Sequence, residues 1–136
     1  MEIRYSHKND DLFEISNIYE NSWKYAYRGI IPQEYLDSIP KGRWAKSITQ
    51  VGMNTLVLIE NGIIIGTASF CKSRWENYGD FGEIVSIYFL PDYIGKGYGK
   101  YLLKKCIEEL ERVHIKTASK IITNIMTARK ITSSLS

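Results

Sequence analysis

The sequence is poor in the residues that usually advertise a site. It has two cysteines in 136 residues, Cys71 and Cys106, too far apart to give a metal-ligand spacing and without His neighbours. Two buried thiols and no metal are expected. The two histidines, His7 and His114, stand alone, so neither has a sequence partner for acid–base or metal chemistry. No apolar run approaches a membrane span, and Met1-Glu2-Ile3-Arg4 opens without the apolar core of a signal peptide. These absences predict a cytoplasmic protein with no membrane partner. Acid is missing only locally. Residues 1–111 hold thirteen of the eighteen Lys/Arg and all fifteen Asp/Glu, whereas 112–136 hold five basic residues and no acid. Five basics without interleaved aromatics make a poor nucleic-acid footprint, so no nucleic-acid partner is expected.

With 44% hydrophobic and 24% charged residues, the composition is that of one globular domain. A single domain over 1–136 is expected, with an atypical segment at 113–136. Glu2 to Tyr5 reads as a strand, and Asn9-Asp10-Asp11 offers helix caps. Leu12, Ile15, Ile18, Tyr19 and Trp23 then recur at helical spacing. The pattern lapses at Arg28-Gly29, and Pro32 suits the first turn of a second helix through Tyr35, Leu36 and Ile39. A third short helix is expected over Arg43–Thr49. Thr55–Glu60 and Ile63–Phe70 are strand-like runs joined by Asn61-Gly62, a hairpin signal. A polar, aromatic loop follows over 72–80. Gly82–Leu90 is a near-continuous apolar strand placed mid-sheet and ended by Pro91. Leu102, Leu103, Cys106, Ile107 and Leu110 mark an amphipathic helix, and 120–123 reads as a further strand.

Between that strand and that helix lie Gly95, Gly97 and Gly99. Alternate glycines let successive backbone N–H groups converge on an anion, and the helix start adds its unpaired donors and positive dipole end. A phosphate-bearing ligand is implied. The spacing fits neither the P-loop nor the dinucleotide fingerprint, and the turn follows an antiparallel hairpin rather than an early βαβ unit.

Strand, Pro91, Gly95-Lys96-Gly97-Tyr98-Gly99 and a Leu-Leu helix together resemble the acetyl-CoA motif of the GNAT acetyltransferases. Residues 23–37 resemble the substrate-side helices of many bacterial members, and the likeness covers roughly 1–111. It implies a mixed α+β fold with a central, mostly antiparallel twisted sheet flanked by helices. It also implies acetyl-CoA as cofactor, held by Ile87, Tyr88 and Phe89 through strand-like pairing and by Ile94, Gly95, Lys96, Gly97, Tyr98, Gly99 and Lys100 at the turn. Ile94 departs from the family pattern, which has Gln or Arg there. Lys96 and Lys100 can add charge near the phosphates, with ordinary solvated surface as the lesser alternative.

The resemblance further implies acetyl transfer to a primary amine, of a small molecule or of a peptide or protein, by direct attack in a ternary complex. An alkyl ammonium near pKa ~10.4 must lose a proton first. Glu83, in a segment similar to that bearing the base of histone acetyltransferases, is the candidate base, and a strand-end ion pair is its structural alternative. A backbone N–H of Tyr88 or Phe89 is the expected oxyanion donor. Trp23, Tyr27, Arg28 and Tyr35 are candidate acceptor-binding residues, with Tyr25, Trp75 and Tyr78 nearby. Ala128–Thr132 resembles the remnant of a later family helix, with Ile131 and Thr132 where Phe and Tyr are expected. Incomplete C-terminal strands and a homodimer covering the open sheet are therefore expected. The alternative function is a catalytically impaired acyl-CoA-binding relative.

Overall fold

In the computed structural model, residues 1–7, 12–72 and 82–112 are described in full, with the backbone of 113 and of 121–123. The elements run β1 (Glu2–Tyr5), α1 (Leu12–Tyr27), α2 (Gln33–Ser38), α3 (Ala45–Ile48), β2 (Asn54–Glu60), β3 (Ile63–Lys72), β4 (Gly82–Phe89), α4 (Tyr98–Val113) and β5 (Ile121–Thr123). The expected caps at Asn9–Asp11, the 73–80 loop with Trp75 and Tyr78, and the 128–132 remnant lie outside the described residues.

The five strands are ordered β1-β2-β3-β4-β5, antiparallel except for the parallel pair β4–β5. The hairpin turn falls at Asn61-Gly62, with φ of 53° and 78°. Positive φ at both positions matches the right-handed twist of the flanking strands, which is why Asn-Gly serves here.

Helix α1 covers one sheet face with Ile15, Ile18 and Tyr19 against Val57 and Ile64. The opposite face packs Leu102, Cys106 and Leu110 of α4 against Leu56, Leu58, Phe70, Ile84 and Ile87. Burial on both faces explains the continuous apolar runs of the central strands.

One irregularity matters for function. Ser69 pairs Ser86 but Phe70 pairs Ile84, so Val85 is an extra residue bulged out of the β3–β4 ladder. The bulge puts Ile84 and Ile87, three apart, on the α4 face. Glu83 lies opposite Cys71, which shares a face with Ser69, so Glu83 belongs to the α1 face.

Candidate active site

The strand-to-helix connection is built to expose backbone. After β4 a single 3₁₀ turn, Pro91–Tyr93, leads to Ile94 in extended conformation. Gly95 and Gly97 then take φ of 80° and 88°, values an L side chain rarely adopts. A Cβ at Gly97 would meet nothing within 4 Å, so the space beside the turn is open. Helix α4 begins at Tyr98 and runs sixteen residues, and its first N–H groups have no intrahelical acceptor. Gly99 is buried in its first turn.

The side chains of the turn divide in role. Ile94 packs against the α4-face core, which accounts for an apolar residue at that position. Tyr98 donates its hydroxyl to Glu60 Oε2 at 3.2 Å, and its ring meets Tyr93 edge-on at 5.9 Å. Desolvation, then the Glu60 carboxylate, raises its phenol pKa, so it remains a neutral donor. Lys96 stands 5.7 Å over the Tyr93 ring, and Lys96 and Lys100 are both exposed.

Just before the turn, β4 pairs with β3 on one side as far as Phe89, and β5, described to Thr123 opposite Ile84, lies on its other side. The Leu90 N–H donates to Ile65 O at 2.9 Å. Carried back along an antiparallel ladder, that bond turns the Tyr88 backbone toward β3 and those of Ile87 and Phe89 toward the opposite side. The Phe89 carbonyl there already accepts the Ser22 hydroxyl from α1 at 2.8 Å. Opposite Phe89 sits Gly66, where a Cβ would come within 2.4 Å of the Phe89 ring. Gly66 is thus required for Phe89 to lie flat on the sheet.

On the α1 face, aromatic rings form a continuous row. Tyr88 stacks at 4.7 Å on Tyr19, Tyr19 at 5.9 Å on Trp44, Trp44 at 5.8 Å on Trp23, and Trp23 at 4.7 Å on Tyr27. The predicted residues Trp23 and Tyr27 are brought together. Arg28 instead stands over Tyr25 at 5.9 Å, and Tyr35 is exposed on α2. Trp44 was missed by sequence reasoning, its only signal being that it is one of three tryptophans. A buried carboxylate holds it in place. Glu20 accepts from Gly42 N–H at 3.2 Å and from Ser16 Oγ at 3.0 Å, and Ser16 Oγ accepts from Trp44 N–H at 3.1 Å.

Glu83 is 2% exposed. Beside it on the same face lies a buried hydroxyl cluster. Tyr19 Oη is 2.9 Å from Ser69 Oγ and 3.3 Å from Ser86 Oγ, and Ser69 Oγ is 3.5 Å from Thr55 Oγ1. Cys106 is fully buried on the sheet-facing side of α4, where desolvation pushes its thiol up to about 12, so it supplies no thiolate. Among the described residues no group of three His, Cys, Asp or Glu side chains is placed to hold a metal.

The acetyltransferase (GNAT) family model matches residues 13–126. The L-amino acid N-acyltransferase MnaT of Escherichia coli (strain K12) is 34% identical over 111 residues, covering 80% of this chain and 62% of that protein. The L-methionine sulfoximine/L-methionine sulfone acetyltransferase of Salmonella typhimurium is 32% identical over 114 residues, covering 82% of this chain and 64% of that one. The chain thus spans less than two thirds of the length of these relatives. Among solved structures, yncA from Salmonella typhimurium with its cofactor acetyl-CoA superposes with a TM-score of 0.60 at 26% identity, over 98% of this chain and 77% of that one.

Proposed function

Because the chain belongs to the GNAT acetyltransferase family, we propose that it transfers an acetyl group from acetyl-CoA to a primary amine by direct attack in a ternary complex. The observation that carries this reading is strand β4 running straight into a positive-φ glycine turn at the head of α4.

These residues suit a pantetheine thioester with a pyrophosphate. Gly95 and Gly97 keep side chains out of the cradle, the first N–H groups of α4 supply donors, and Lys96 and Lys100 add positive charge at the rim. The side of β4 opposite β3 offers the Ile87 N–H and C=O and the Phe89 N–H to amides of the arm. Ser22 occupies one lone pair of the Phe89 carbonyl, and ladder parity takes the Tyr88 backbone out of this role. When bound, the cofactor supplies an acyl carbon open to attack by nitrogen. Glu83 takes the proton from the ammonium, and the Ile87 or Phe89 N–H stabilises the oxygen as charge builds on it. The rest of the rate comes from positioning.

For the acceptor we favour a small α-amino acid or close analogue. Two relatives bear names of that class, and the aromatic row from Tyr88 to Tyr27, with Arg43 over Trp44 and Arg28 beyond it, suits an amine that carries a carboxylate. We further place a single domain of this kind in the cytoplasm, as a homodimer. Among the described residues no helix is long and apolar enough to cross a membrane.

The test is thiol release from acetyl-CoA with a panel of L-amino acids, L-methionine sulfone and simple alkylamines. Turnover with an amino acid or its sulfone is expected, together with a thermal shift given by CoA and not by ATP or NAD. Binding of CoA with no turnover on any amine would leave an acyl-CoA-binding relative instead.

A further inference from the structure

Two tyrosines flank the glycine pair Gly95 and Gly97, Tyr93 before it and Tyr98 after it, and their contacts join into one chain. Tyr98 donates its hydroxyl to Glu60 Oε2 at 3.2 Å, which ties the first residue of α4 to the last residue of β2. The Tyr98 ring meets the Tyr93 ring edge-on, with centroids 5.9 Å apart and planes at 64°. Tyr93 closes the 3₁₀ turn, where its N–H donates to Leu90 O at 2.9 Å and the Ile94 N–H to Pro91 O at 3.2 Å. Both rings also pack against the α4-face core. At the other end of the chain the Lys96 ammonium stands 5.7 Å over the Tyr93 ring.

How Lys96 is held matters as much as where. It sits between Gly95 and Gly97, the two positive-φ residues that open the turn. A lysine free in solvent must give up side-chain entropy when it meets an anion, and a restraint already present in the free protein removes part of that cost. A carboxylate partner would supply the restraint but cancel the charge, whereas a ring face restrains the ammonium and leaves its charge to act. Among the described residues no carboxylate pairs with Lys96. The carboxylate in this chain of contacts, Glu60, is engaged by the Tyr98 hydroxyl instead.

We propose that Tyr93 and Tyr98 are positioning residues of the cofactor site, a proposal that rests on the acetyl-CoA reading. Glu60 fixes the Tyr98 phenol, Tyr98 braces the Tyr93 ring, and that ring holds the Lys96 ammonium beside the backbone N–H groups of the turn, where the phosphates of CoA bind. Neither tyrosine takes part in the acetyl transfer itself. Their effect reaches the cofactor through one charge, that of Lys96, so it must depend on Lys96 being present and must weaken as salt screens that charge. A ring that only packs the turn against the core would have neither property.

The test is calorimetric titration of CoA into the parent and its variants at ~50 and ~500 mM salt, beside a melting curve for each. At the lower salt Tyr93→Leu should bind CoA about 3- to 10-fold more weakly, as Lys96→Ala does, and Tyr98→Phe about 2- to 5-fold more weakly. Tyr93→Phe, which keeps the ring, should recover the affinity lost in Tyr93→Leu. All three gaps to the parent should narrow at the higher salt. Lys96→Ala combined with Tyr93→Leu, or with Tyr98→Phe, should bind no more weakly than Lys96→Ala alone, because members of one chain of contacts are not additive. A loss in Tyr93→Leu that is the same at both salts, or that multiplies with the Lys96→Ala loss, would make Tyr93 a packing residue and overturn the proposal. Tighter binding by Tyr93→Leu would overturn it too, since the ring would then be holding Lys96 away from the phosphates. Parent-like affinity in Tyr98→Phe would remove Tyr98 from the chain. A parent protein that binds no CoA at either salt would overturn the acetyl-CoA reading itself.

Discussion

Replacing Gly97 with valine should remove CoA binding for a reason that is not steric. Space for a Cβ is open there, but φ is 88°, so a β-branched residue must pull the backbone out of the conformation that aims the N–H groups. Gly97→Asn, which tolerates positive φ better, should retain more affinity, and Lys96→Ala should cost only several-fold; calorimetric titration ranks the three. Glu83→Gln should keep CoA affinity and lower turnover by about 10²-fold at neutral pH, with partial recovery in alkali. An unaltered pH–rate profile would return Glu83 to a structural role. Gly97 and Glu83 are singled out by sequence because each sits inside a local motif. Ser22, Tyr19 and Trp44 are not, because what they touch is 67, 50 and 28 residues away in the chain. Ladder parity, which turns the Tyr88 backbone toward β3, depends on where β4 meets β3, and spacing alone does not fix that.

Elements were easier to read than their partners. Helix α4 follows from the spacing of Leu102, Cys106 and Leu110, but the polar clasp that ties it to β1 does not. Glu109 accepts the Tyr5 hydroxyl at 2.6 Å and Arg112 at 2.8 Å, with Lys105 at 3.8 Å. Hydrogen bonding from Arg112, then from Tyr5, holds the Glu109 carboxyl down to about 2, below its ordinary 4.5. A depressed folded-state pKa means stability that is present above the unfolded value and lost as pH falls through the folded one. The wild-type melting temperature should therefore fall between pH ~4.5 and ~2, and Glu109→Gln should flatten that part of the profile while lowering stability at pH 7. Calorimetry across this range checks both. A second test at this scale is Gly66→Val, which should push the Phe89 ring off β3. Its CoA affinity should drop while α4 and the rest of the sheet still melt cooperatively. Nothing in the sequence singles out Gly66, and the Phe89 ring opposite gives it a purpose.

At the scale of the molecule, the family resemblance implied a central, mostly antiparallel sheet flanked by helices, and that is the architecture found. An open sheet face for a partner to cover was also expected. The faces of β2, β3 and β4 are in fact occupied, by α1 on one side and α4 on the other, so a dimer would have to use edges or helices. The β1 edge is short and carries Glu2 and Arg4, features that discourage strand-to-strand addition. Of the exposed large apolar side chains, Tyr25, Ile30 and Tyr35 cluster in sequence on the segment that borders the aromatic row. We therefore expect a homodimer through the α1–α2 region, placing a second chain beside the acceptor side of the site. Light scattering should give twice the monomer mass of 15.7 kDa. Ile30→Glu with Tyr35→Glu should halve it and raise the acceptor KM more than the CoA Kd, because the substituted side chains are exposed on the segment that borders the aromatic row. A parent protein that runs as a monomer at tens of micromolar would leave those side chains to the acceptor alone.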